Sequence, residues 1–141
     1  MKIKSIRALE VFNALGEPTI ASILTFTKKE KSKIKIVGDD LFATNINRII
    51  KGIELDTVNA VVIKPSQIGT ITETLQAIKL CYQHNLTVII SDRSGDTCDS
   101  FIADLAVGSN ATHIKSGGLQ RGEHISKYNR LLEIEDFLMN M

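Results

Sequence analysis

Asp39 and Asp40, then Lys64, then Asp92 with Arg93 and Ser94, and finally Lys115 each stand at the end of a short run of β-branched or apolar residues. Two lysines and an arginine beside carboxylates suit an anionic ligand that carries phosphate and carboxylate groups. Arginine grips oxyanions bidentately, and a lysine held near other cations is drawn toward the pKa of a usable base. Taken singly, most of these residues have ordinary readings. Asp39 reads equally as a turn cap, Arg93-Ser94-Gly95 as a polar turn, and Lys115 as the lead-in to Ser116-Gly117-Gly118. Lys64 is harder to dismiss, because a lysine directly after a buried strand must reach solvent or a carboxylate. The same placement after successive runs is what points to one site. His84 and His113 read as structural or exposed, and Cys81 and Cys98 lie outside any metal-ligand spacing.

The elements that must position these groups are legible as alternating patterns. Residues 34–37 read as a strand ending at Gly38-Asp39-Asp40, and Ile46, Ile49, Ile50 and Ile53 then form one apolar helical face. Residues 60–63 read as a buried strand closed by Pro65. Thr70 and Glu73 have capping-box spacing, and Ile71, Leu75, Ile78 and Tyr82 continue a helical stripe. Residues 87–90 form the third strand, and Phe101, Ile102, Leu105 and Ala106 mark a helix stopped by Gly108. His113 and Ile114 make a short fourth strand. Ile125, Tyr128, Leu131, Leu132 and Leu138 predict a closing helix.

The pattern predicts an α/β chain of four βα units with a parallel sheet, whose strand ends gather functional groups at one rim. Four units match half of a (β/α)8 barrel, and an open doubly wound sheet is the structural alternative. Residues 1–26 differ: two strand-like runs flank Gly16-Glu17-Pro18, which predicts a β-hairpin. Residues 27–33 hold four lysines and no large apolar side chain, the composition of a solvated linker. The expected organisation is therefore hairpin 1–26, linker 27–33 and half-barrel 34–141.

Composition narrows the classes. The chain has 141 residues, 17 Lys+Arg against 16 Asp+Glu, and 43% hydrophobic residues. A formal net charge of +1 offers no basic field for nucleic acid or a membrane surface. No apolar run approaches the roughly 20 residues that span a bilayer. The N-terminal residues lack a signal-peptide core, and two sparse cysteines fit a reducing, cytoplasmic compartment.

The residues together resemble the enolase family, whose members interconvert 2-phosphoglycerate and phosphoenolpyruvate. The resemblance rests on Ile36-Val37-Gly38-Asp39-Asp40-Leu41-Phe42, on Ile63-Lys64 with Gln67-Ile68-Gly69-Thr70, and on Arg93-Ser94-Gly95. It continues through residues 101–108, Ile114-Lys115 and residues 127–132, and Glu10, Gly16, Pro18 and Thr19 resemble the family's opening. It implies that Asp39 is a ligand of the catalytic Mg²⁺ and Lys64 the general base. It also implies that Arg93 and Ser94 hold the substrate phosphate and that Lys115 binds its carboxylate. Such groups are needed because removing a proton beside a carboxylate builds further negative charge.

Departures from the pattern matter as much. Asp92 stands where the family has histidine, Ala14 where it has a metal-binding serine, and Leu15 where it has arginine. The stretch that carries the other two carboxylate ligands of Mg²⁺ is missing, so the ion is expected to bind weakly or not at all. The resemblance thus implies a chain that is catalytically silent alone and acts as an anion-binding or assembly module. A Mg²⁺-dependent lyase completed by a second chain is the alternative, and an unused structural remnant is the third reading. Unpaired strand edges predict a homodimer that closes two half-barrels into one, with exchange of the hairpin as a second route. A phosphorylated small molecule is the expected ligand, with no nucleic acid and no membrane as partner.

Overall fold

Strand pairing produces two separate sheets, and the chain divides into two units, Met1–Lys35 and Ile36–Met141. The structure is a computed structural model and describes the backbone of residues 3–12 and 18–26 and the whole of residues 34–141. In the first unit β1 (Ile3–Phe12) pairs antiparallel with β2 (Pro18–Phe26), in a register that sets Phe12 opposite Pro18 and Ile6 opposite Leu24. This is the hairpin that the sequence predicts. Its turn, Ala14, Leu15 and the lysine-rich linker 27–33 lie outside the described residues.

The second unit holds the four expected βα units. Its strands are β3 (Val37–Gly38), β4 (Ala60–Ile63), β5 (Thr87–Ser91) and β6 (His113–Lys115), paired parallel in the order β3-β4-β5-β6. Between and after them run α1 (Ile46–Glu54), α2 (Pro65–Ile68), α3 (Ile71–Gln83), α4 (Phe101–Gly108) and α5 (Gly122–Met139). Val61, Ile63, Val88 and Ile90 point into one apolar core with Ile49, Ala77, Ile78, Ile102 and Leu105 from the helices. Ala60 and Val62 are buried too, so β4 is covered on both faces, as an unbroken apolar strand requires.

Helix starts follow the local chemistry. Asn45 caps α1 by accepting from the Arg48 N–H, and Thr70 caps α3 by accepting from the Glu73 N–H. The second cap is the one that Thr70 and Glu73 predict by spacing. Helix α2 is an addition: Pro65 does not merely close β4 but opens a helical turn, where its missing N–H costs nothing, and Gly69 ends that turn at φ +100°.

Two expectations about burial need correction. The buried face of α3 is Thr74, Ala77, Ile78 and Cys81, whereas Ile71, Leu75 and Tyr82 are exposed. Small side chains let the helix approach its neighbours closely, so they win the inner face over the larger stripe. On α5 the fully buried side chain is Lys127, whereas Leu132 and Leu138 are 62% and 55% exposed.

Candidate functional site

Each sequence-marked residue lies where its strand ends. Asp39 follows β3, Lys64 follows β4, Asp92 follows β5, and Lys115 is the last residue of β6. Parallel pairing puts all four at one rim. The rim is strongly curved. Three strand spacings amount to about 14 Å in a flat sheet, yet Lys115 Nζ donates to Asp39 Oδ2 at 3.2 Å, from the last strand to the first. A flat sheet would stretch both side chains to their limit. Inward curvature, as in a barrel wall, makes the contact easy.

Asp39 is the centre of the cluster. Its Oδ1 lies 2.6 Å from Lys64 Nζ, an ion pair whose angle falls outside hydrogen-bond geometry. Asp40 stands 3.7 Å from the same ammonium. Lys64 is 7% exposed, so the lysine after the buried strand has found a carboxylate rather than an exit. The Asp39 main-chain carbonyl accepts from the N–H groups of Phe42 and Ala43, which leaves the carboxylate free to face the lysines.

Behind Lys64 stands Thr44, a residue that the sequence does not single out. Thr44 is fully buried with φ +58°, an unusual conformation for a β-branched residue. Its Oγ1 accepts from the Lys64 N–H at 2.9 Å and lies 3.0 Å from Gln67 Oε1, to which it donates. One hydroxyl thus ties the turn after β3 to the end of β4. A threonine in the turn after Asp39-Asp40 is the only signal of it in the sequence.

Arg93 and Ser94 are on the same rim but outside this cluster. Both are exposed, and no hydrogen bond or ion pair ties either side chain to another described residue. Asp92 has a structural role, since Ser116 Oγ, itself buried, donates to Asp92 Oδ2 at 2.8 Å. That contact fastens the loop after β5 to the loop after β6. The latter is held again by Tyr128, whose hydroxyl donates to the Gly117 carbonyl at 2.6 Å. The loop after β5 has one more anchor, also invisible as a site residue in the sequence. Lys127 Nζ donates to the carbonyls of Thr97 and Glu123 from a side chain that is 1% exposed. Lys127 shares the spacing of Leu131 and Ile134 on α5, and a lysine on that otherwise apolar stripe is the signal that could have found it.

Burial pushes the Asp39 carboxyl up, but the ammonium groups of Lys64 and Lys115 outweigh it and hold it below its ordinary value of 3.8. A carboxyl lowered in the folded state stabilises the fold above its unfolded pKa and loses that contribution as pH falls through the folded one. Stability is therefore expected to decline below about pH 4, in part through Asp39. Acid titration of the unfolding free energy should be shallower for Asp39→Asn than for wild type. Parallel curves for the two would show that the cluster contributes nothing to the acid dependence.

A resident Mg²⁺ does not fit these residues. The ion demands several oxygens in near-octahedral array. Among the described residues no three His, Cys, Asp or Glu side chains converge, and both Asp39 oxygens already face ammonium groups.

Comparison with known proteins agrees with this architecture. The family model for the enolase C-terminal TIM barrel domain matches residues 5–141. The proteins named Enolase from two strains of Ureaplasma parvum serovar 3 are each 54% identical to this chain over 110 residues, which is 78% of this chain and 25% of theirs. The matched part of the chain thus spans about a quarter of the length of these curated relatives. Four parallel strands with alternating helices, polar groups at their carboxyl ends and this degree of identity lead to one assignment: the chain belongs to the enolase family, as a partial form of its C-terminal barrel domain.

Proposed function

We propose that the chain is an anion-binding module, catalytically silent by itself, which takes a small molecule bearing phosphate and carboxylate groups at the rim of its half-barrel. The observation that carries this reading is the state of Arg93. It stands exposed on the rim, beside Ser94, with no carboxylate paired to it among the described residues. Lys64 and Lys115 are both engaged by Asp39. An incoming phosphate therefore meets Arg93 and Ser94 first, and its carboxylate competes with Asp39 for the exposed Lys115. Lys64 is in the position that the family resemblance gives to a general base. Asp39 neutralises it, and no resident metal fits beside it to stabilise the charge that proton abstraction creates.

If the chain has catalytic chemistry, the lyase type of its family is the class to test. Both cysteines are free, which fits the reducing cytoplasm as its compartment.

Calorimetric titration of 2-phosphoglycerate is expected to show saturable binding that does not require Mg²⁺. Arg93→Ala should weaken it about tenfold or more, the scale of a lost charge-assisted hydrogen bond. A parallel absorbance assay should detect no phosphoenolpyruvate, with or without Mg²⁺. A silent titration would remove the binding reading. Mg²⁺-dependent product that vanishes in Lys64→Ala would replace it with the lyase.

A further inference from the structure

The helices of the second unit follow a rule that fails at the two ends of the sheet. Helix α3 lies against both β4 and β5, α4 against both β5 and β6, α1 packs on α3, and α4 packs on α5. Each of α3 and α4 thus covers its own strand and the next one. Among the described residues, helix α5 has no next strand in this sheet, and β3 has no neighbour on its other side in it.

Both ends show the surface this leaves. Along the open side of β3 lies a groove of about 810 Å³, lined by Val37, Phe42 and Leu55 and edged by Arg48 and Lys51. Its end toward the rim meets Asp39 and Asp40, which Lys64 already engages. Val37 is 41% exposed and Leu55 63%. At the other end, the last two turns of α5 are apolar on most sides: Leu132, Phe137 and Met139 are 62%, 65% and 83% exposed. Large apolar side chains exposed on several sides of a helix end are the kind of surface that a larger structure covers. Glu135 and Asp136, both exposed, are interleaved with these residues. The groove is thus apolar with a basic edge, and the helix is apolar with acidic side chains.

We propose that the occupant of this groove is α5 of a second copy of the chain. As α5 of one copy lies along β3 and α1 of its partner, β6 of the first pairs parallel with β3 of the second. A two-fold axis perpendicular to the rim repeats the contact, so both open edges of both copies close at once into an eight-stranded barrel. All strands stay parallel, which brings two copies of Asp39, Lys64 and Lys115 to one mouth. Complementary charge fixes which surfaces meet, because pairing groove with groove or helix with helix would oppose like charges. This arrangement does not depend on whether the rim binds an anion.

Sedimentation velocity at micromolar concentration tests it with two double variants at exposed positions. One carries Arg48→Glu with Lys51→Glu, the other Glu135→Lys with Asp136→Lys. Wild type is expected to be a dimer. Each variant alone opposes like charges at both contacts and should be monomeric, with dissociation raised more than about a hundredfold. An equimolar mixture restores one attractive pair at the engineered contact and leaves the wild-type pair at the other, so it should form a one-to-one heterodimer. Circular dichroism reads whether each variant is folded, and Leu55→Glu replaces the groove variant if it is not. A monomeric wild type overturns the proposal and leaves the groove to another segment of the same chain or to a different protein. Variants that dimerise alone as wild type does overturn it in favour of hairpin exchange. A mixture that stays monomeric overturns it as well.

Discussion

Lys127→Ala is expected to lower the melting temperature by at least about 10 °C, equivalent to roughly 3 kcal/mol in a domain of this size. The long stem of Lys127 lies buried in the unit, and its ammonium donates to the carbonyls of Thr97 and Glu123. Alanine removes the packing of the stem and leaves two acceptors without their donor. Lys127→Met separates the two effects, because it keeps most of the volume and loses only the donors. It should cost about 1–3 kcal/mol, the penalty for acceptors deprived of a charged partner. Differential scanning calorimetry of the three proteins decides the matter. If methionine shifts the transition by less than about 3 °C, the ammonium contributes little net stability. Amide hydrogen exchange near Thr97 should also rise in both variants, since that loop loses its tie to α5.

Thr44→Val should cost about 2 kcal/mol, the penalty for a buried N–H left without an acceptor. Valine preserves shape and branching at a fully buried position, so packing changes little. What disappears is the hydroxyl that receives the Lys64 N–H and donates to Gln67. Thr44→Ser keeps both contacts and removes the β-branch from a backbone at φ +58°. It should therefore fall within about 0.5 kcal/mol of wild type. Urea unfolding measures both, and equal losses in the valine and serine variants would show that the hydroxyl is not what holds the strand end. Lys64 also gives a functional reading. Asp39 pairs with both Lys64 and Lys115, so a valine variant that displaces Lys64 should also disturb Lys115 and weaken 2-phosphoglycerate binding, and the serine variant should not.

The contrast between these two residues and the ones visible in the sequence has a physical cause. Apolar runs such as Val61-Val62-Ile63 announce central strands because burial on both faces excludes alternation, and β4 and β5 can be traced that way. The first strand is harder to bound. Residues 34–37 read as strand, but the ladder runs only through Val37 and Gly38, and the Ile36 N–H donates to Asn59 Oδ1 instead. An edge strand has one neighbour, and a side chain can replace it. Apolar spacing also misjudges α3 and α5, because it registers the size of a side chain and not the closeness of approach. Tyr82 shows the result: it stands 40% exposed and sends its hydroxyl to the Ser109 carbonyl.

The site is legible in a similar proportion. Position after successive strands marks Asp39, Lys64 and Lys115, and the fold brings those three together. Arg93 and Ser94 are marked on the same grounds and share the rim without touching the cluster. Asp92 is marked as a departure from the family's histidine, and the fold gives its carboxylate a tie to Ser116 that the sequence does not show. A sequence shows which groups reach a rim. It does not show which of them neutralise one another there, because that depends on curvature.

The Asp39–Lys115 contact joins residues 76 positions apart in the chain. Chain segments that meet over such a separation do so late in folding, after local strand–helix units have brought them near. The rim is thus completed only when the last strand has docked, whereas the core between β4, β5 and α3 needs far less of the chain. A nascent or partly opened molecule can keep that core and yet leave Asp39 with Lys64 alone. Recognition at the rim is in this sense a check on completed assembly: the chain presents its full set of charges to a ligand only after every strand of the second unit is in place.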